Sequence, residues 1–430
     1  MSNPASPSIA EQCGNRLFGR FLTGNAAALL ALAMGQVALP WWIVSTGGSR
    51  DLALYAFWAA VVGCLATPLL AALGDRHDQY GLIRLGLAIN VTSAASLAFL
   101  ATKSYYAIGP VLAVAIVEVV GVALAFSLIN VAATEMLPAA ALPRALQQQK
   151  LVQSAAQLAG PVVAGAVLAA SGVAAVLWVQ AGLTALASIL MIGGRKQTPS
   201  RVHTDTWLTD VYVGIRAKWR IPLERNWTAI SFMVAIFLVP CVGLLLPLKI
   251  RELGLGGSWF AAAEAAMSAG LLSGAVIGAS NRIVEKIGRY RLRLIATMSL
   301  GPAFVLTGLS ERPALLLVSL GLAGVFNSLV VMMGYSRRII ATPASFRTRM
   351  TSTSTVLTQV ASIIGPAIAG FAILLSSTSW IYITFGFLIT VVNIGYCWTP
   401  GLKTFLDASD ADVDEWYGKF YPHAFDNAKV

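Results

Sequence analysis

The chain has 430 residues, 57% of them hydrophobic and 11% charged, with a mean hydropathy of +0.73, whereas soluble chains run at roughly 45–50% apolar and about 25% charged. The apolar residues fall in a dozen runs of about 20, the length of a helix crossing a ~30 Å hydrocarbon core, which excludes a large soluble domain and a porin-like barrel. A formal net charge of +11 raises the question of a nucleic-acid partner, but its distribution along the chain assigns it to membrane topology, with no nucleic acid expected.

Residues 1–15 are polar and carry no charge besides Glu11, lacking the basic start and small-residue cleavage site of a secretory signal, so the first span is expected to be retained. Twelve spans are predicted, at 17–46, 52–73, 83–102, 105–136, 147–170, 173–194, 227–250, 259–281, 292–310, 313–341, 348–375 and 378–399. They divide the chain into a cytoplasmic tail (1–15), a six-helix bundle (16–194), a linker (195–226), a second six-helix bundle (227–400) and a second tail (401–430).

In the first span Asn25, Leu29, Leu32 and Gln36 share an arc of about 60°, placing two amides on one face. Glu118, thirteen residues from the outer end of the fourth span, lies near mid-bilayer with no Lys or Arg at that depth in the first half. An ionisable group there is a candidate proton carrier, protonated in one conformation and released in another, or a neutral carboxyl bonded within the bundle. The linker opens with Gln197-Thr198-Pro199-Ser200 and then spaces Trp207, Leu208, Val211, Val213, Ile215 and Trp219 among charges, which predicts an amphipathic helix on the membrane surface.

In the eighth span Glu264 points away from the stripe Ala262, Ala266, Gly270, Gly274 and Gly278, whose four-residue period predicts a close helix-packing face. Glu264 is then either a second proton-coupling group or half of a rim ion pair with Lys249 or Arg251. Thr351, Thr355, Thr358, Ser362 and Gly365 in the eleventh span, like Gln149, Gln153 and Gly160 in the fifth, are expected to pack the two halves together. The tail carries Asp407, Asp410, Asp412, Asp414 and Glu415 and is expected to be solvated or docked on the surface. The four cysteines, Cys13, Cys64, Cys241 and Cys397, have no paired spacing and suggest neither a disulfide nor a zinc site. No zincin, nucleophile-elbow or phosphate-loop signature occurs, and the three histidines lie outside the spans, so no enzyme and no metal are expected.

With these spans, 25 of the 30 Lys and Arg fall on one side, and only Arg50, Lys103, Lys249, Arg251 and Arg312 fall opposite. The positive-inside rule makes the rich side cytoplasmic and puts both termini there. The halves also repeat: Pro40 maps to Pro247 at an offset of 207, Asp75-Arg76 to Asn281-Arg282 at 206, and Pro138, Arg144, Gly160-Pro161 and Gly165 to Pro343, Arg349, Gly365-Pro366 and Gly370 at 205. Both repeats start from the cytoplasm and are therefore parallel.

Asp75-Arg76-His77-Asp78 resembles the loop signature of the major facilitator superfamily, and Gly160-Pro161-Val162-Val163-Ala164-Gly165 is similar to the Gly-Pro-x-x-Gly-Gly motif of its proton-coupled exporters. The stretch Arg144–Gly165 and its copy Arg349–Gly370 resemble the enterobactin-exporter and macrolide-efflux branch. Gln79 and Tyr80 stand where that branch often has arginines, and the Arg-x-x-Gln-Gly pattern of many drug exporters is missing from the fourth span. The resemblance implies an all-α integral membrane protein with the major facilitator fold, twelve transmembrane helices in two parallel six-helix repeats around a central cavity. It implies a cavity face on spans 1, 4, 7 and 10 holding Asn25, Gln36, Asn130, Asn327 and Tyr335. It also implies a cytoplasmic gate of Asp75, Arg76, Asp78, Arg84, Glu135 and Arg349.

The expected function is export of an amphiphilic small molecule, siderophore- or drug-like, across the inner membrane by proton antiport, the chain acting as a monomer in the lipid bilayer. The proton gradient supplies the energy, no cofactor is expected, and Glu118 and Glu264 are the proton-coupling candidates. The cavity is expected to be largely apolar, with no buried basic cluster. An importer or a lipid flippase on the same fold is the alternative, and a non-transporting receptor a third possibility.

Overall fold

A computed structural model describes residues 9–74, 78–135, 142–191, 207–343 and 346–425. Asp75 and Arg76 of the expected gate lie outside them, as do residues 195–206 of the linker. No strand occurs among the described residues. The helices are α1 (Ile9–Thr46), α2 (Gly48–Gly74), α3 (Gln79–Thr102), α4 (Ile108–Glu135), α5 (Leu142–Leu190), α6 (Trp207–Arg220), α7 (Pro222–Gly243), α8 (Leu245–Glu252) and α9 (Gly257–Ala279). They continue as α10 (Asn281–Ile287), α11 (Arg289–Leu309), α12 (Pro313–Met332), α13 (Tyr335–Ala341), α14 (Arg347–Ile373), α15 (Thr378–Ile394), α16 (Leu402–Asp407), α17 (Asp410–Val413) and α18 (Trp416–Phe420).

Eleven of these segments are long and apolar enough to cross a membrane, and one of them is two spans. In α5 the residue Gly172 has φ 78° and ψ −179°, a conformation open in practice only to glycine. Gly160 packs against Ala33 of α1, and Gln180 lies against Gly35 of the same helix. Twenty residues of straight helix would separate those two by about 30 Å, so the chain reverses at Gly172 and returns along α1. That makes twelve spans, as the sequence predicts.

Local signals place the ends. Asp78 caps α3, its Oδ1 accepting from the Tyr80 amide at 3.2 Å. Pro222 and Pro313 open α7 and α12, where a missing N–H costs nothing. The glycine stripe of α9 does what its spacing predicts: a Cβ on Gly270 would collide with the Gly321 carbonyl of α12, and one on Gly274 with that of Val325, so two backbones touch with no side chain between them.

The chain forms two compact units, Met1–Gly47 with Val61–Val202, and Gly48–Ala60 with His203–Val430. The first is built on Phe21, Ile83, Leu87, Leu124, Leu128, Ile129 and Met191, contributed by α1, α3, α4 and the end of α5. In the second, α6 is two-faced. Gly214, Ala217 and Lys218 are buried while Tyr212, Ile215 and Trp219 are exposed, the pattern of a helix docked on protein with its other face offered to a membrane surface. The tail docks as well: Leu402, Phe405, Leu406, Val413 and Tyr417 pack with Ile221, Leu223, Trp227, Ala341 and Tyr396. Despite its acids the tail is held by apolar burial, so it is a fixed part of the second unit.

Candidate functional site

In the first unit, Glu118 of α4 is half-buried and its Oε1 accepts from Gln180 Nε2 at 2.6 Å. No cation pairs with it among the described residues. The Gln180 Oε1 is buried with no hydrogen-bond partner among the described residues, and Gly35 is the residue that admits the Gln180 amide, since a Cβ there would meet it at 2.6 Å. Asn25 is buried with an unsatisfied Oδ1, while Gln36, on the same helix arc, is exposed. The backbones of Asn130 and Glu135 belong to α4 and that of Arg144 to α5, their side chains lying outside the described part. Gly160 serves helix packing against Ala33, followed by the buried Pro161 and Gly165. Of the gate residues, Asp78 is spent on its cap, and Arg84 is exposed with its Nε donating to the Tyr80 carbonyl at 3.2 Å.

In the second unit, Glu264 is half-buried. The rim ion pair with Lys249 does not form, because Lys249 Nζ donates instead to the Gly308 carbonyl at 3.0 Å and to Ser379 Oγ at 2.5 Å. Asn327 is half-buried in α12, and Arg349 stacks its guanidinium 5.6 Å from the centroid of Phe346.

A cavity of about 450 Å³ opens in this unit. Its wall includes Tyr335, and also Thr351, Thr355 and Thr358 of α14, whose hydroxyls bond to their own helix carbonyls at 2.7, 3.2 and 3.0 Å. Within this unit these threonines line the cavity, and Gly365 on the same helix packs against the Ile236 carbonyl of α7.

The floor of the cavity is a buried charge cluster. Glu224, in the first turn of α7 and 1% exposed, accepts from Arg338 Nε and Nη2 at 2.7 Å each, from Lys218 Nζ at 3.2 Å and from the Tyr417 hydroxyl at 2.7 Å. Arg338 Nη2 also donates to Thr228 Oγ1 at 3.1 Å. The termini favour this placement, an acid at a helix start and a base in the last turn of α13. Burial pulls the Lys218 ammonium down to about 8, against the opposing pull of Glu224. Burial and the Glu224 charge together hold the Tyr417 hydroxyl well above its ordinary range.

Beside the cluster, Arg293 of α11 lies with its guanidinium 4.0 Å from the Trp227 ring centroid and 4.9 Å from that of Tyr396, its Nη1 donating to the Val330 carbonyl at 2.6 Å. Gly334, between α12 and α13, is the residue this stack requires, since a Cβ there would collide with the Trp227 ring and Arg293 Nη1. Lys218, Arg293 and Arg338 all line the cavity. The expectation of a cavity without a buried basic cluster is therefore wrong for this half. Its arginines lie within the predicted spans 292–310 and 313–341, at span ends where a basic residue also serves as a topology signal. Among the described residues no three His, Cys, Asp or Glu side chains converge as a metal site requires.

Helices of this number, length and apolarity define a multi-pass membrane protein. Residues 18–309 match the Major Facilitator Superfamily, more than half of the chain, and the protein belongs to that family. Its fold is similar to that of the nucleoside transporter NupG (12% identity, 89% of this chain and 100% of that one, TM-score 0.72) and of a POT family transporter in complex with 5-aminolevulinic acid (11%, 90% and 96%, 0.72). It is also similar to a bacterial homolog of the human lysosomal transporter Spinster (12%, 95% and 99%, 0.66). At these identities the likeness concerns the fold alone. No curated protein matches the chain by sequence.

Proposed function

We propose that this major facilitator exports an amphiphilic small molecule, siderophore- or drug-like, across the inner membrane by proton antiport, as a monomer working by alternating access. The observation that carries the proposal is the Glu118–Gln180 pair. A carboxyl that loads and unloads a proton needs a neighbour that serves both of its forms. The Gln180 amide does so: its NH₂ donates to the carboxylate, and turned over, its oxygen accepts from the carboxylic acid. A neutral partner neither locks the charge in place, as an arginine would, nor leaves it alone in the span. Glu264, with no ion pair among the described residues, is the second proton-coupling candidate.

Asn25, Gln36, Asn130, Asn327 and Tyr335 are proposed to meet substrate. Asp75, Arg76, Asp78, Arg84, Glu135 and Arg349 are proposed as the cytoplasmic gate, forming charge pairs in one state and breaking them in the other. The test places wild type and Glu118→Gln in proteoliposomes with a pH-sensitive dye inside, and adds a panel of siderophores and cationic aromatic drugs. A compound that moves protons through the wild type but not through Glu118→Gln supports antiport. Proton movement that survives in Glu118→Gln overturns the role of Glu118, and substrate crossing the wild type with no proton movement replaces antiport by uniport or flipping.

A further inference from the structure

The charge balance of the second unit's cavity does not close. Three cations line it, Lys218, Arg293 and Arg338, and Glu224 is the only carboxylate among the lining residues. Glu224 is already saturated by Arg338, Lys218 and Tyr417, so the lining keeps a net positive charge and Arg293 has no carboxylate among the lining residues to face. Arg293 is the most exceptional of the cations: it is 2% exposed, its Nε has no hydrogen-bond partner among the described residues, and the groups it does bond, the Val330 carbonyl and the Tyr396 side chain, include no carboxylate. Stacking on Trp227 holds the guanidinium in place without neutralising it. A buried positive charge with an unused donor is costly unless something compensates it.

The rest of the wall sets the size and character of what could. Trp227, Phe232, Val330, Val331, Ile339, Met350 and Leu357 make much of it apolar, and about 450 Å³ falls within the roughly 300–1,000 Å³ of small-molecule sites.

We infer that this cavity seats the anionic group of an amphiphilic ligand, a carboxylate, sulfonate or phosphate on an apolar body, with Arg293 as its principal contact and Lys218 adding charge. The inference rests on the transporter reading above in naming the class of substrate that the second half of the molecule takes. The same chemistry has two sources, a soluble organic anion and an anionic lipid headgroup.

The test is equilibrium dialysis of 2-naphthoate, with the neutral 2-naphthalenemethanol as its control, against the full chain in phosphatidylcholine nanodiscs, with empty discs subtracted. The wild type should hold naphthoate at least about ten-fold more tightly than the alcohol, the scale of one hydrogen bond to a charged group. Arg293→Gln should lose most of that preference. Lys218→Met, which leaves the Arg338–Glu224 pair intact, should weaken it by a smaller factor and serves if Arg293→Gln fails to fold. Equal binding of acid and alcohol by the wild type, or naphthoate binding unchanged in the folded variants, overturns the inference. Discs containing phosphatidylglycerol separate the sources: displacement of naphthoate assigns the site to a lipid headgroup, and undiminished binding to a soluble anion. No gradient is present in the assay. Naphthoate binding with no substrate-driven proton flux therefore defeats the antiport reading alone, and proton flux with no naphthoate preference defeats this inference alone.

Discussion

Glu224 concentrates more hydrogen bonds than any other side chain described above, and its removal has a definite sign. In Glu224→Gln the shape is kept, but the amide can accept on one side only, so Arg338 and Lys218 remain buried with their charges unmatched. Breaking one partner out of a buried pair costs about 3–5 kcal/mol, and thermal unfolding of the purified protein in detergent should show a markedly lower midpoint. An unchanged midpoint would mean that the cluster is solvated and contributes little. A pH dependence follows from Lys218, which loses its proton as pH rises through about 8. Its facing groups keep their state over that window: Arg338 stays cationic, Glu224 stays ion-paired and Tyr417 is held neutral by burial. Naphthoate itself remains ionised, as carboxylates do above about 4. Naphthoate affinity should therefore fall between pH 7 and pH 9 in the wild type, while Lys218→Met should be weaker at pH 7 and flat across the range. A parallel fall in both proteins would assign the effect to another group. Glu118 was legible in the sequence because an acid in an apolar run stands out. Gln180, its partner 62 residues later, was not, since an amide in a span carries no charge signal and only the return of α5 along α1 brings the two together.

Among the elements, the tail departs furthest from its composition. Five acids within nine residues leave a solvated tail and a surface-docked one both open. The alternation of Leu402, Phe405, Leu406, Val413 and Tyr417 with acids lets the apolar side chains face the protein while Asp407, Asp412, Asp414 and Glu415 face water. Polar ties then fix its register: Arg337 donates to the carbonyls of Phe405 and Ala408 at 3.0 and 2.9 Å, and Asp407 accepts from the Tyr290 amide at 3.2 Å. The signal was an apolar spacing too short for a span, easily lost beside spans of twenty residues. Tyr417 carries this element into the charge cluster. Tyr417→Phe keeps the ring stacked on Phe405, 5.7 Å away, and deletes only the hydroxyl bonded to Glu224, so it should cost about 1–3 kcal/mol in thermal unfolding. Deleting residues 402–430 should cost more, because it also strips the apolar cover from Trp227 and Leu223. If the deletion melted no lower than Tyr417→Phe, the apolar docking would be incidental.

For the whole molecule, the sequence carried the span number and the family, because both are written in long-range patterns along the chain that no single contact can disturb. It did not carry the asymmetry between the halves. The landmarks repeat at an offset near 205, yet among the described residues the first unit holds a carboxyl with an amide and the second a carboxylate paired with two cations beside a third. Fold symmetry constrains backbone path and close-packing glycines, whereas the polar side chains within it are free to diverge. For topology the charge count gives a definite expectation. With 25 of 30 cations on one side, reversing the chain would carry that excess across the membrane against the bias that sets orientation. In a protein with Cys13, Cys64, Cys241 and Cys397 replaced, Lys103→Cys, exposed at the end of α3, should react with a membrane-impermeant maleimide in intact cells. Lys403→Cys, exposed in α16, should react only after the membrane is opened. Labelling of Lys403→Cys from outside would invert the orientation, placing the Lys218–Arg338 floor and its anion site on the external face and turning the exporter reading into one of uptake.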